Sequence, residues 1–294
     1  MIEAAQFEST PLARVTDAML SSGRPIFALA IIGLGVETLI CAQRAIFLYR
    51  LPSHPQFKVV PVLPFLPPIP WLAYAFGAVL VLCGIGILFP RTLKPSATVV
   101  GNLMFLGAVL LNAPRNAIIP GSMGLRTVVF EPLAIAALAW LSPGPSETPR
   151  WLDRTSRYLL ALSLIVFGID HFLALAPIGT LIPGWIPWHV FWIGFFGAGF
   201  IAAGLSIATG VLIRWGAACL GLMYAIWVLT LHLPTVLGLY VIPDRQDHPA
   251  LWSSLFIAIA LWGGPWALAR SRTRTPSANL PVAPSPKLAG ELLR

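Results

Sequence analysis

The sequence predicts an all-α polytopic membrane protein of about eight transmembrane helices, arranged as two parallel four-helix repeats. Three observations carry that expectation. Of the 294 residues, 57% are hydrophobic and only 10% are charged, whereas a soluble domain carries about 25% charged residues; the mean hydropathy is +0.81. Apolar runs long enough to cross a hydrocarbon core of ~30 Å recur along the whole chain. Those runs lack the period-two alternation of a lipid barrel, so their backbone must satisfy itself within helices.

Taken in order, residues 1–23 read as a cytoplasmic N-terminal segment. Thr10-Pro11 caps a short helix that ends near Gly23, and the acidic Glu3, Glu8 and Asp17 exclude a signal peptide. Spans follow near 25–46, 70–89, 96–113 and 124–141. The third is short and the fourth carries Glu131 and Pro132, so six or seven spans is the alternative count. A polar, proline-rich linker at 142–156 (SPGPSETPRWLDRTS) separates residues 24–141 from 157–270, where spans fall near 157–176, 188–209, 212–231 and 250–269. Residues 271–294 have the composition of a disordered cytoplasmic tail.

The net charge of +8 does not point to nucleic acid, because it is distributed by topology. With the N-terminus inside, thirteen Lys and Arg fall on inner segments and six on outer ones, Arg126 among the six. That is the positive-inside bias, and it implies the cytoplasmic (inner) membrane with both termini cytoplasmic. Cys41, Cys83 and Cys219 lie singly in apolar segments and read as buried packing residues.

The two halves align. Arg24–Ile40 matches Arg157–Leu173 without a gap, setting GVET (Gly35–Thr38) over GIDH (Gly168–His171). Ile69-Pro70-Trp71 then matches Ile186-Pro187-Trp188, LNAP (Leu111–Pro114) matches LHLP (Leu231–Pro234), and Phe130–Leu138 matches Trp252–Ala260. An even number of spans per copy makes the repeat parallel. Asp170 keeps an acidic counterpart in Glu37, but His171 faces Thr38 and His232 faces Asn112, so the second copy is the chemically equipped one.

Ionisable residues within spans are costly and mark function by default. His171 lies 14 residues beyond Arg157, about 21 Å along a helix and so in the outer third of its span. His189 opens the sixth span and His232 closes the seventh, both at the outer side. His54 and His248 read as loop residues. Asp170 and His171 point about 100° apart on one helix, so each needs a partner from another span, with His232 or His189 the expected one. Gly168 permits close approach of a neighbouring helix. The candidate site is therefore His171, His232 and Asp170 as chemical groups, with Trp188, His189 and Phe172 lining a slot and Glu37 as a second intramembrane acid. No metal-ligand spacing is present. An apolar slot with aromatic walls and titratable histidines suits a quinone or similar lipid-soluble ligand.

GIDHF, the IPGWIPWH link (Ile182–His189) and LHLP together resemble the DoxX-like family of small prokaryotic membrane proteins, clearest over residues 157–234 and looser over 24–114. The resemblance implies four-helix bundles, in some members linked to quinone-dependent oxidation. It carries over to Gly168, His171, Phe172, Pro183, Pro187 and His232; Thr38 and Asn112 depart from it. The implied role is quinone-linked redox chemistry as a membrane subunit. No haem, flavin or iron–sulfur signature occurs, so electrons require a redox partner; the bilayer and a second copy of the chain are the other implied partners. Transport of a small molecule or lipid, and non-catalytic assembly of other membrane proteins, are the alternatives.

Overall fold

A computed structural model of the protein describes residues 11–41, 70–118, 121, 123–239 and 248–272. Every regular element among them is a helix: α1 (Pro11–Cys41), α2 (Pro70–Leu88), α3 (Pro90–Leu106), α4 (Met123–Leu141), α5 (Arg150–Leu173), α6 (His189–Thr209), α7 (Ile213–Trp227) and α8 (His248–Ser271), with shorter helical turns between them. Seven of the described helical segments are long and apolar enough to cross a membrane, and α4, with Arg126 and Glu131, is not among them. The expected all-α polytopic architecture is what the chain adopts. Arg44, Arg50, His54, Lys58, Arg245 and the tail beyond Arg272 lie outside the described residues, as does the side chain of His248.

Two boundaries differ from expectation. Gly23 does not end a short N-terminal helix: α1 runs unbroken through Gly23 and Pro25. The glycine serves packing instead, since a Cβ there would lie 2.4 Å from the Ala267 backbone nitrogen and 2.7 Å from the Gly263 carbonyl. The linker is also shorter, because α5 begins at Arg150. Arg272 bonds Asp153 at 2.5 Å and Arg270 lies 3.4 Å from Asp17, tying the end of α8 to α5 and α1. Cys219 is exposed and Cys41 and Cys83 are only half-buried, which corrects the reading of all three as buried.

Each helix packs on its neighbours in the chain, α8 closes back onto α1, and α4 meets α8 across the middle. The result is two lobes, α1–α3 and α5–α7, sharing a central pair. Each lobe is therefore closed by both fourth helices, with α1 against α8 and α5 against α4. Composition makes the central position possible. Leu133 through Leu141 of α4 are all buried, with alanine at 134, 136, 137 and 139, and small residues let helices approach on every side. The Leu138 side chain sits against Gly264 at the centre.

The lobes repeat the same contacts. Gly35 crosses Gly77 and Gly168 crosses Gly197, each with the carbonyl of one glycine within 3.2 Å of where the other's Cβ would stand. Gly84 packs on Ile32 and the Ala28 carbonyl, as Gly204 does on Ile165 and the Ala161 carbonyl. Trp140 covers Gly101 as Trp266 covers Gly221. This last pair aligns the fourth helices one turn further along than the sequence match of Phe130–Leu138 with Trp252–Ala260.

Both third helices continue into a π-helical turn, Gly107–Asn112 and Val228–His232. The cause is the proline two residues beyond: Pro114 and Pro234 have no N–H to give the carbonyl four residues back and would collide with it, which a widened turn relieves. Pro132 orphans the Val128 carbonyl in the same way, and there the Asn112 amide donates to it at 3.1 Å. Asn112 thus repairs a backbone break.

Candidate functional site

The second lobe holds the polar residues singled out in the sequence, at the end of the bundle where α5 stops and α6 begins. Asp170 is 4% exposed. Its partner is Arg126 of α4, which donates to Oδ1 from Nε at 2.9 Å and from a terminal guanidinium nitrogen at 2.5 Å. The expectation that His232 or His189 would pair with it is corrected: a guanidinium compensates a buried carboxylate more fully than a neutral imidazole, through two charge-assisted bonds. Arg126, counted in the sequence as an outer charge, is on a helix and inside this site.

His171 is 8% exposed. Its Nδ1 lies 2.7 Å from the Phe167 carbonyl one turn back, while its Nε2 is buried without a hydrogen-bond partner. The imidazole sits between Phe200, at 5.2 Å between ring centres, and Trp227, at 5.7 Å. Thr38 makes the matching bond in the first lobe, from its hydroxyl to the Leu34 carbonyl. The glycine crossing fixes the imidazole's place, since a Cβ on Gly197 would stand 2.9 Å from the His171 Cβ.

An aromatic row continues from this ring. Trp227 meets Phe196 at 5.5 Å, Phe196 meets Trp192 at 6.2 Å, and Trp192 meets the exposed Phe191 at 5.2 Å. On the other side of the imidazole Phe200 meets the buried Tyr224 at 5.6 Å, and Glu131 of α4 lies within electrostatic reach of that tyrosine. The indole N–H of Trp192 is, like His171 Nε2, buried and unpartnered.

The remaining expected residues divide. His232 ends the π turn of the third helix and is half-buried. His189 is half-buried at the first position of α6. Trp188 does not line the slot: it is 78% exposed, at a left-handed φ of 60° that turns the chain into α6. Phe172 is also exposed, because the residue after His171 points away by a quarter turn and more. Glu37 is not brought to His171. It is buried in the first lobe, where Ser253 of α8 donates to Oε1 and Oε2 has no partner. Both acids nonetheless follow one scheme, each held by the fourth helix of the other half. Among the described residues no three His, Cys, Asp or Glu side chains gather as a metal would require.

Sequence reasoning missed Arg126, Phe200, Tyr224 and Trp227. The four-residue spacings Phe167–His171 and Phe196–Phe200 were the available signal, since such pairs share a helix face. Compared with family models, curated proteins and solved structures, the chain matches none of them.

Proposed function

We propose that the protein binds a lipid-soluble ring compound of the quinone class at His171 and supports membrane redox chemistry as a subunit beside an electron-carrying partner. The observation that carries this reading is the buried, unpartnered Nε2 of His171 between two aromatic rings. A buried polar atom left unmatched costs on the order of 1–3 kcal/mol, a cost that a hydrogen bond to a ligand removes. Arg126 and Asp170 supply a matched charge pair that fixes α5 against α4, and His232 ends the π turn that continues α7. This reading retains the resemblance to DoxX-like proteins and a duplicated four-helix unit. The recurrent glycine crossings and paired π turns support the duplication. It also places His171 toward the outer face of the cytoplasmic membrane, with both termini inside.

Transport through the seam between the lobes fits less well, because that seam is filled by the Leu138–Gly264 contact. The test is mass spectrometry of organic-solvent extracts of gently purified protein. Wild type retains a quinone that His171→Ala loses. Equal quinone in both, or none in either, removes the ligand role from His171.

A further inference from the structure

We propose that the His171 site selects its ligand by the proton the ligand brings, taking a ring that bears a hydroxyl, the hydroquinone or phenol form, in preference to the oxidised quinone. This rests on the reading of His171 as the ligand site.

The Phe167 carbonyl has no proton to give, so at 2.7 Å the hydrogen in that bond belongs to Nδ1. An imidazole carrying its hydrogen on Nδ1 presents a lone pair at Nε2. The buried face of His171 is thus an acceptor. A quinone carbonyl is also an acceptor, and the two repel; a hydroquinone hydroxyl donates to Nε2 directly. A second proton on the imidazole would turn Nε2 into a donor and remove the distinction. The imidazole's charged neighbours are Asp170 on its own helix, bonded to Arg126 of α4, and Glu131 of α4 near Tyr224. His232 adds a half-buried imidazole, and α6 contributes Phe196 and Phe200.

The far end of the aromatic row adds the complementary group. Trp192 Nε1 is a buried donor without a partner, separated from Trp227 by Phe196. Quinone and hydroquinone oxygens both accept from such a donor, so the discrimination rests on His171 Nε2. The helix seams say where such a ring enters. Gly168 and Gly197 bring α5 and α6 into backbone contact, which closes that seam. Between α6 and α7 the contact near His171 is made by the side chains of Phe196 and Trp227, and side chains rotate where backbones do not.

The experiment uses the full chain in phosphatidylglycerol nanodiscs under anaerobic conditions. It measures partition of radiolabelled decyl-benzoquinone, its dithionite-reduced hydroquinone, and the dimethyl ether of that hydroquinone, against empty nanodiscs. The expected result is hydroquinone binding at least about tenfold tighter than quinone, the worth of one buried hydrogen bond, with the dimethyl ether no better than quinone. His171→Phe loses the preference. The ether comparison needs no variant, so it stands even if that protein folds poorly. Quinone binding as tightly as hydroquinone overturns the selectivity and leaves the site; no form partitioning above empty nanodiscs overturns the site as well.

Discussion

The Arg126–Asp170 pair sets the most demanding test of the second lobe. Asp170 receives two guanidinium bonds on one oxygen, and the two side chains are 6% and 23% exposed. Removing one partner of a buried pair leaves an uncompensated charge and costs about 3–5 kcal/mol. The partial exposure of Arg126 puts this case near the lower end, about 3 kcal/mol, or a fall in Tm of roughly 6–12 °C for a chain of this size. Arg126→Leu and Asp170→Leu should each show that loss in thermal unfolding monitored in detergent by circular dichroism. The double variant should lie within about 1 kcal/mol of wild type, because two apolar side chains replace two charges together. The coupling is then about 5 kcal/mol, the two single losses of about 3 less the double variant's 1. The surface pair Arg270–Asp17, at 3.4 Å with Asp17 mostly exposed, is the control, and its coupling should be under about 0.5 kcal/mol. Additive losses at Arg126 and Asp170 would refute the pairing.

Three further outcomes follow from the same contacts. Gly197→Val should lower Tm and weaken ligand retention together, since its side chain meets His171 Cβ and the Gly168 carbonyl, whereas Gly194→Ala, with only Phe172 at 4.0 Å, should do neither; thermal shift and extract analysis read both. Glu37→Gln should be milder than Asp170→Asn in thermal shift, because it keeps an acceptor for Ser253 and strands no arginine, and an equal loss would contradict the assignment of Ser253 as its partner. Asn112→Leu should cost about 1–3 kcal/mol by exposing the Val128 carbonyl that Pro132 leaves open, and Pro132→Ala should rescue it in the double variant; failure of that rescue in an unfolding assay would remove the repair role.

Much of the fold was legible because hydrocarbon length and backbone satisfaction leave few choices for apolar runs such as those from Trp71 and His189. Proline and glycine placement was read less well. Gly23 reads in sequence as a helix stop, but in a membrane bundle glycine also marks a backbone crossing, here with Gly263. The exchange of fourth helices was not legible, since apolar pattern fixes that α4 is buried without saying against which copy. The site was half legible. Asp170 and His171 stood out as intramembrane ionisable residues and are indeed buried. Phe172 is next to His171 along the chain, which on a helix differs from closeness in space, and Trp188 stands exposed in the link before α6. Arg126 was hidden because it stands at the very start of the span near 124–141, where a basic residue reads as one more outer charge.

Photoaffinity labelling with an azido-hydroquinone in anaerobic native membranes, followed by peptide sequencing, tests most directly whether the ligand lies at His171. The label should fall on α5 near Phe167–His171 and on α7 near Tyr224–Trp227, and an excess of unmodified hydroquinone should suppress it. Label confined to the exposed Trp188 link, or spread over both lobes without competition, would contradict a ligand site at His171.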